Sequence, residues 1–352
     1  MTDEPLGSHV LELELADVVE ETADARSLVF RVPDGVEVSP DKLGYRPGQF
    51  LTLRVPSDRT GSVARCYSLC SSPHTDDRLT VTVKRTDGGY ASHWLCDNAH
   101  VGMKMHVLAP SGTFTPANLD TDFLLLAAGS GITPMMAICK SALSEGAGQV
   151  TLVYANRDET SVIFAAALRE LAAKYPDRLT VVHWLESVQG LPSAVALTGL
   201  IGPYTGREAF ICGPGPFMAA AEEALTTAGA ARESIHIEVF KSLESDPFAA
   251  VVIAEDDSDE GPATAVVMLD GETHEVRWPR SAKLLDVLLD KGLDAPFSCR
   301  EGHCGACAVL KTSGDVDMHV NDVLEQSDLD EGLILACQAH PLSDSVEVTY
   351  DE

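Results

Sequence analysis

Three cysteines crowd into residues 299–307 of the chain, in the run CREGHCGACAV. Cys299, Cys304 and Cys307 have the spacing C-x4-C-x2-C, and Cys337 follows in the run LILACQAH. This is the ligand spacing of a plant-type [2Fe-2S] cluster. A loop around a small anionic cluster needs inward-pointing backbone N–H groups and little side-chain bulk, and small residues are present: Gly302, Gly305, Ala306 and Ala308. We therefore predict that the four thiolates hold such a cluster.

Zinc is the alternative metal for the same thiolates. Zinc sites more often show two paired C-x2-C motifs than one tight triple with a distant fourth ligand. The chain has nine cysteines, an odd number, and ligands plus ordinary buried thiols explain that number better than a disulfide framework does. Cys66, Cys70, Cys96 and Cys139 are accordingly expected to be small buried hydrophobic residues.

A cluster that accepts one electron at a time needs an electron source. Two turns could bind a nicotinamide dinucleotide: LLLAAGSGITPMM places Gly129 and Gly131 after an apolar run, and ICGPGPFM places Cys212 at the end of another. Glycines let a backbone approach a pyrophosphate, and ligands bind at the ends of parallel strands. The third glycine of the dinucleotide fingerprint is absent, because Pro134 occupies its position, so an ordinary tight turn is the alternative for the first motif.

The two predicted cofactors do not match in electron number. Nicotinamide delivers two electrons as a hydride, whereas the cluster accepts one. A flavin can take a hydride and release single electrons. We therefore predict that the N-terminal part of the chain binds a flavin.

The hydrophobic pattern divides the chain into three parts. VLELELADVV and RLTVTVKR alternate apolar with polar residues, which predicts an antiparallel β domain over 8–117. Over 118–241, continuous apolar runs such as FLLLAAGSG alternate with helical stretches, which predicts an α/β domain with a parallel sheet. An acidic linker over 242–263, with the run AEDDSDEGPAT, leads to a third domain over 264–352. Before the cysteines, that domain has two short strands and a helix for which Ser281 is the expected N-cap.

The net charge and the hydropathy of the chain limit the binding partners and the location that we expect for it. The 25 basic and 54 acidic residues give the 352-residue chain a formal charge of -29. Phosphate binding needs clustered Lys and Arg, so we expect no nucleic acid and no anionic membrane as partner, and a basic protein suits the charge better. The N-terminal MTDEPLGS lacks a secretion-signal pattern, and FLLLAAGSGITPMMAI is too short and too polar for a membrane span. The sequence therefore predicts a cytoplasmic protein.

An ordered set of motifs resembles a known family across nearly the whole length. The motifs are R-C-Y-S (65–68), G-Y-A-S (89–92), G-S-G-I-T-P (129–134), C-G-P-G-P-F-M (212–218) and E-V-F (238–240), followed by the cysteine motif. Together they resemble a ferredoxin-NADP reductase-type flavoprotein fused to a C-terminal plant-type ferredoxin. The resemblance implies a multidomain fold: an antiparallel β-barrel FAD domain, an α/β parallel-sheet nicotinamide domain and an α+β ferredoxin domain of the β-grasp type.

Reductases of this layout serve bacterial oxygenases. The runs ARCYSLCSSP, YANRDETSVIF and VNDVLEQSDLDEGLILACQ are, more closely, similar to the reductase components of actinobacterial 3-ketosteroid 9α-hydroxylases. That resemblance implies a monomer that passes electrons from NADH through FAD and a [2Fe-2S] cluster to a separate Rieske-type oxygenase of sterol breakdown. We expect the oxygenase to dock near the acidic ferredoxin domain. The alternatives are the reductase of another ring-hydroxylating or phenylacetyl-CoA oxygenase, and an iron-sulfur redox sensor.

The resemblance also implies roles for individual residues. Arg65 would pair with the FAD pyrophosphate, Tyr67 would pack on the isoalloxazine, and Ser68 would hydrogen-bond near its N5. Gly89 and Ser92 would bind the second phosphate at a helix N-terminus.

Further roles concern the nicotinamide side of the site. Thr133 would lie between flavin and nicotinamide, and Cys212 would touch the nicotinamide ring as a shaping contact rather than a nucleophile. Glu238 and Phe240 would close the flavin site, and the residues assigned to catalysis are Ser68, Cys212 and Glu238. The other predicted cofactor-binding residues are Cys66, Val83, Arg85, Tyr90, Ala91, Gly129, Gly131, Pro134, Asn156, Arg157, Gly213 and Pro214.

Arg157 bears on the choice between NADH and NADPH. An arginine could meet the 2′-phosphate of NADPH, but Asp158 beside it would oppose one. Arg157 can equally contact the ribose or adenine of NADH. The charge logic of ribose recognition favours NADH over NADPH.

Overall fold

The computed structural model describes residues 6, 7, 9–251, 253 and 261–351. Three sheet-based units follow one another along the chain in the predicted order. The predicted fold class is therefore confirmed, while the exact domain boundaries stay a prediction.

The first unit is an antiparallel barrel. Its strands are β1 (Leu11–Thr22), β2 (Ala25–Arg31), β3 (Phe50–Ser57), β4 (Gly61–Ser68), β5 (Thr80–Lys84) and β6 (Lys104–Val107), in the spatial order β4-β3-β6-β1-β2-β5. A bridge between Leu69 and Val81 joins the chain beyond β4 to β5 and closes the sheet. The helix α1 (Tyr90–Asn98) connects β5 to β6.

Strand alternation explains the barrel core. Leu11, Leu13 and Leu15 of β1 point inward and are buried, while the glutamates between them are partly exposed. Val81 and Val83 of β5 are likewise fully buried in the same core. Their neighbours on β5 therefore face outward, because successive strand residues point to opposite faces.

The second unit is a parallel sheet with helices on both faces. Its elements in chain order are β7 (Phe123–Ala128), α2 (Ile132–Glu145), β8 (Val150–Asn156), α3 (Ala165–Lys174), β9 (Leu179–Leu185), α4 (Glu186–Gln189), α5 (Ala194–Ile201), β10 (Glu208–Cys212), α6 (Gly215–Ala228) and β11 (Ile235–Glu238). The strand order is β11-β10-β7-β8-β9. Since both faces are covered, β7 is apolar along its whole length: Leu125 packs on the side of α2 and α3, and Leu124 packs on the side of α5 and α6.

The third unit is a mixed five-stranded sheet with one main helix. Its elements are β12 (Ala263–Leu269), β13 (Glu272–Trp278), α7 (Leu284–Asp290), β14 (Ala308–Ser313), β15 (Val316–Met318), α8 (Gln326–Glu331), β16 (Leu333–Leu335), β17 (Ala339–Pro341) and β18 (Ser345–Thr349). In the strand order β13-β12-β18-β14-β16, β18 is the central strand and runs parallel to its neighbour β12. The short strands β15 and β17 pair separately.

Two local features differ from the sequence predictions. The N-cap of α7 is Lys283 instead of Ser281, so the helix begins later than expected. In the segment predicted to be a linker, Leu243 and Phe248 are buried against the third unit, and the carbonyl of Phe248 accepts a hydrogen bond from Gly7 N–H. The start of this segment is thus anchored to the core by these two side chains, although most of its other residues are partly or fully exposed, and 254–260 lie outside the described residues. In the described part of the chain, no helix is both long and apolar enough to cross a bilayer.

Candidate cofactor sites

A cavity of about 770 Å³, here called the large cavity, lies between the barrel and the parallel sheet. Most of the predicted cofactor-binding residues lie in its wall. They are Arg65, Cys66, Tyr67, Ser68, Arg85, Gly89, Tyr90, Ala91, Ser92, Gly129, Thr133, Gly213, Pro214 and Phe240. The fold therefore brings together five motifs that are far apart in the sequence.

The barrel side of the large cavity consists of the end of β4 and the start of α1. Tyr67 and Ser68 are the last residues of β4, and burial raises the pKa of Tyr67, so its phenol stays neutral. The α1 helix begins beside the cavity with Gly89 as N-cap, and Ser92 Oγ accepts a hydrogen bond of 3.0 Å from Thr86 N–H. A helix N-terminus with free backbone N–H groups fits a phosphate.

Three cationic side chains lie in the wall of the same cavity. Arg65, Lys84 and Arg85 all line the large cavity. Burial lowers the pKa of Lys84, whose Nζ lies 3.9 Å from Asp24 Oδ2. Arg65 Nη1 donates to the carbonyl of Leu243 at 3.1 Å, which holds the guanidinium at the cavity wall. The donor set, two guanidinium groups and an ammonium beside a helix terminus, fits a dinucleotide diphosphate.

The opposite wall of the large cavity comes from the parallel sheet. The turns after the adjacent strands β7 and β10 supply Gly129, Ser130, Gly213 and Pro214. The chain order reverses between these two strands, because β8 and β9 lie on one side and β11 lies on the other. Such a switch point is where nucleotides bind in open α/β sheets.

Gly131 explains how the two turns approach each other. A Cβ atom on Gly131 would lie 2.1 Å from the carbonyl oxygen of Cys212. Only a glycine allows the start of α2 to pack this closely on the end of β10.

The four predicted ligand cysteines form two neighbouring pairs in the third unit. Cys299 and Cys304 are within hydrogen-bonding contact of each other, and so are Cys307 and Cys337. The hydrogen bond from Cys304 and, after it, those from the backbone N–H groups of Glu301 and His303 lower the pKa of Cys299, against the effect of burial. Among the described residues, no three His, Cys, Asp or Glu side chains converge on a point suited to one metal ion. Two pairs of thiols are what a cluster of two irons requires.

The loop that carries the cysteines fits a cluster in its backbone as well. Gly302 and Gly305 have positive φ values of 81° and 70°. A Cβ atom on Gly302 would lie 2.7 Å from the carbonyl oxygen of Val320, and one on Gly305 would lie 2.7 Å from Thr113 Cγ2. Both positions of the loop therefore need glycine, because of their backbone conformation and because of these close neighbours.

A second cavity, of about 360 Å³, lies where the three units meet and is here called the junction cavity. Its wall includes Cys299 and Cys304 of the cysteine loop and Glu238 at the end of β11. The junction cavity and the large cavity share five wall residues: Cys66, Ser68, Val239, Phe240 and Lys241. The cysteine loop thus faces a cavity that shares part of its wall with the large cavity.

Glu238 places a carboxyl group in the wall of the junction cavity. Removal from water raises its pKa to about 7. Burial and the Glu238 carboxylate together raise the pKa of the neighbouring Cys212 thiol, which is therefore neutral and a poor nucleophile.

Six of the predicted cofactor-binding residues do not line the large cavity. Val83 points into the barrel core, while Thr82 and Lys84 on either side of it line the cavity. Asn156 is buried at the end of β8, and the neighbouring Arg157 pairs with Asp24 at 3.0 Å. Pro134 and Gly131 are buried in the first turn of α2, and Cys212 is fully buried behind its turn. Whether they bind a cofactor stays a prediction.

Sequence reasoning missed other residues of the two cavities. Thr82, Lys84 and Thr86 line the large cavity, and the alternation along β5 could have identified the first two. Thr113 contacts Gly305 and lines the junction cavity, but no signal in the sequence marks it.

Comparison with family models assigns all three units. Residues 12–115 match the oxidoreductase FAD-binding domain, and residues 125–223 match the oxidoreductase NAD-binding domain. Residues 267–342 match the 2Fe-2S iron-sulfur cluster binding domain. The predicted cofactors are thereby confirmed, and the iron-sulfur interpretation replaces zinc.

Whole-chain relatives are found among curated proteins and solved structures. The chain is 81% identical to the ferredoxin reductase component of 3-ketosteroid-9-alpha-monooxygenase from Mycolicibacterium smegmatis, over 100% of both chains. It is 74% identical to the component of the same name from Mycobacterium tuberculosis, over 99% of this chain and 98% of the other. The solved structure of phthalate dioxygenase reductase has the same fold, with a TM-score of 0.57 and 24% identity over 97% of this chain and 98% of that one.

Proposed function

The chain belongs to the ferredoxin reductase components of 3-ketosteroid-9-alpha-monooxygenase, and we propose that it carries electrons from NADH to a separate Rieske-type oxygenase that acts on 3-ketosteroids. It is an oxidoreductase with FAD-binding, NAD-binding and [2Fe-2S] domains. When bound, these groups convert the two electrons of one NADH hydride into two successive one-electron transfers. The chain itself binds the groups, orients them and keeps them close together.

One observation carries the proposal of an internal relay. Cys299 and Cys304 line the junction cavity together with Ser68 and Cys66, which also line the large cavity. This wall places the predicted cluster ligands next to the end of β4, where the flavin ring is predicted to lie. No residue of the wall needs to act as a strong acid or base, because proximity and orientation are sufficient for electron transfer.

We propose NADH as the electron donor because of the charges around Arg157. Its guanidinium pairs with Asp24 at 3.0 Å, so its charge is already balanced. The carboxylate of Asp158 is held in place by hydrogen bonds from the N–H groups of Thr160 and Ser161. A fixed carboxylate beside a paired arginine opposes the 2′-phosphate of NADPH.

The oxygenase is proposed to dock on the acidic surface around the cysteine loop. The exposed carboxylates of the third unit include Asp315, Asp317, Asp322, Glu325, Asp330 and Glu331. Asp322 and Glu325 also line the junction cavity beside Cys304. A basic patch on the oxygenase would be attracted to this surface, which speeds encounter and orients the partner. We further propose that the reductase is a cytoplasmic monomer, in keeping with its high net charge of -29.

Reconstitution of the complete oxygenase system tests the proposed electron acceptor. The purified reductase is mixed with the oxygenase component of a 3-ketosteroid-9-alpha-monooxygenase, a 3-ketosteroid, NADH and O₂, and hydroxylated steroid is measured against NADH consumed. We expect coupled product formation with the native chain and none with Cys337→Ser, although NADH still bleaches the flavin of that variant. If the native chain reduces its own cluster but yields no hydroxylated steroid, the proposed oxygenase partner is wrong.

A further inference from the structure

The carboxylate of Glu301 accepts hydrogen bonds from a segment of the chain that precedes the first strand of the third unit. Glu301 lies between Cys299 and Cys304 in the cysteine loop, and its side chain is 15% exposed. Its Oε1 atom accepts hydrogen bonds from the backbone N–H of Glu244 at 2.8 Å, from the N–H of Ser245 at 2.6 Å and from Ser245 Oγ at 2.7 Å. Hydrogen bonds to a charged acceptor are about twice as strong as neutral ones. No pattern in the sequence indicates this contact.

The segment that is hydrogen-bonded to Glu301 is itself hydrogen-bonded to the barrel. The carbonyl of Leu243 accepts a hydrogen bond from Arg65 of β4, and Ser62 Oγ of β4 donates to Asp246 Oδ2 at 3.2 Å. Leu243 and Phe248 are buried. By holding Glu244 and Ser245, Glu301 therefore holds the cysteine loop against the strand that carries Tyr67 and Ser68.

A second contact holds the other side of Cys299. Ser298 Oγ lies 2.7 Å from Thr52 Oγ1 of β3, and both residues are almost completely buried. Thr52 Oγ1 also lies 3.3 Å from Cys66 Sγ, and Cys66 belongs to the wall shared by the two cavities. Cys299 is thus flanked on both sides by contacts that lead to the barrel.

We propose that these two contacts, Glu301 with the N–H groups of Glu244 and Ser245 and Ser298 with Thr52, form a clamp that positions the cysteine loop for the flavin-to-cluster electron step. The proposal rests on the relay of the proposed function and adds the residues that set its geometry. Glu301 and Thr52 are positioning residues, because neither side chain lines the large cavity or the junction cavity.

Other contacts between the units are weaker candidates for this role. Lys241 pairs with Asp322 at 2.7 Å, but both side chains are more than 40% exposed. Lys42 pairs with Asp294 at 2.8 Å in a similarly exposed setting. Exposed ion pairs contribute about 0–1 kcal/mol and weaken with salt. The contact of Ser298 with Thr52 is buried, the carboxylate of Glu301 makes three hydrogen bonds at once, and both contacts lie within two residues of Cys299.

Rapid mixing of the FAD- and cluster-loaded protein with NADH tests the clamp. Flavin bleaching is followed by stopped-flow absorbance and cluster reduction by rapid-freeze EPR, in the native chain, Glu301→Ala, Glu301→Gln and Thr52→Val. Glu275→Ala is the matched control, since Glu275 is an exposed glutamate on β13 of the same domain. Hydrogen exchange of the amides of Glu244 and Ser245 is measured on the same samples, in the absence of NADH.

We expect Glu301→Ala to slow cluster reduction roughly tenfold or more, the kind of loss that a displacement of about 1 Å produces. Flavin bleaching should keep its rate. Exchange at Glu244 and Ser245 should accelerate roughly tenfold, because a hydrogen bond to a charged group is lost. Glu301→Gln keeps an acceptor oxygen and should restore most of both effects, while Thr52→Val should slow cluster reduction without changing exchange at these two amides.

Two results would overturn the proposal. If Glu301→Ala and Thr52→Val reduce the cluster as fast as the native chain and Glu275→Ala, the contacts are structural only. If Glu301→Ala slows flavin bleaching as much as cluster reduction, the residue supports the whole site rather than the electron step. Failure of the relay itself looks different, since the cluster of the native chain would then not be reduced at all.

Discussion

The nine cysteines show how the setting of a residue decides its chemistry. Cys139 is surrounded by apolar side chains, and burial raises the pKa of its thiol to about 12. The pKa of Cys299 is lowered first by a hydrogen bond from Cys304 and then by backbone N–H groups of its loop, with Glu301 N–H 3.3 Å from the sulfur. A thiolate, which is the metal ligand, is therefore favoured at Cys299 and disfavoured at Cys139.

The ligand assignment is testable with one matched pair of variants. Cys337→Ser removes a predicted ligand, and we expect loss of the visible cluster absorbance and of cluster iron, with FAD content unchanged. Cys139→Ala removes an equally buried cysteine from the parallel-sheet domain and should keep the cluster. Iron analysis and absorbance spectra measure both; a cluster that survives Cys337→Ser at full occupancy would contradict the assignment.

Glu238 should make stability depend on pH in a defined window. Its folded-state pKa of about 7 lies above the value of 4.5 for a free carboxyl group. The folded state therefore holds a proton that the unfolded chain releases, and stability falls as pH rises from about 4.5 to about 7, by up to about 3 kcal/mol. Measured against Glu238→Gln, the Tm of the native chain should fall through this window and stay level above it. A constant Tm difference between about pH 5 and pH 8 would show that the junction cavity does not shield Glu238 from water.

At the level of elements, the close packing of α2 on β10 depends on one glycine. Gly131→Ala would place a Cβ atom 2.1 Å from the carbonyl oxygen of Cys212. Overpacking of this kind costs about 1–3 kcal/mol, so we expect the calorimetric transition of the nicotinamide domain to move down by several degrees.

A glycine in open space provides the control for that substitution. Gly199 lies within α5, and a Cβ atom added to it would meet no other part of the chain within 4 Å. Gly199→Ala should therefore stabilise the domain by roughly 0.5–1 kcal/mol. If Gly131→Ala also raises the transition temperature, the close contact between α2 and β10 is not present in solution.

The sequence predicted elements wherever a short-range pattern decides them. The alternation over β1 and the continuous apolar run of β7 indicate both strand types correctly. The cysteine spacing indicates the iron-sulfur domain that the family model confirms, while the four individual ligands stay a prediction. Predictions are less reliable where tertiary packing determines which side chains are buried. Val83 is a predicted cofactor-binding residue by resemblance, and its side chain lies on the face of β5 that fills the barrel, so its role in cofactor binding stays a prediction. The start of the predicted linker is core, because Leu243 and Phe248 find apolar partners in another domain.

Contacts between domains are the features that are hardest to predict from a sequence. Glu301 and Glu244 are far apart in the chain, and no local pattern marks either as a contact residue. Residues 12–115 and 267–342 match separate family models, so neither model contains the junction cavity between them. The wall shared by Cys66 and Ser68 with Cys299 becomes visible only when the three units are placed together.

At the scale of the whole molecule, the charge of -29 should act on the partner step alone. Attraction between exposed charges is screened within about 10 Å at 0.1 M salt, so association of an acidic reductase with a basic partner slows as ionic strength rises. We expect added salt to slow electron delivery to the oxygenase but not to a small neutral acceptor. Rates for both acceptors over a salt series measure this, and equal slowing of the two would show that the acidic surface does not guide docking.

The central claim is that electrons pass from NADH to the cluster within one chain, across the wall between the two cavities. The most direct test is an anaerobic titration of the FAD- and cluster-loaded protein with NADH, followed by absorbance and low-temperature EPR. We predict bleaching of the flavin together with the EPR signal of a reduced [2Fe-2S] cluster. Bleaching of the flavin with no cluster signal would contradict the claim, because the path would then end at the flavin.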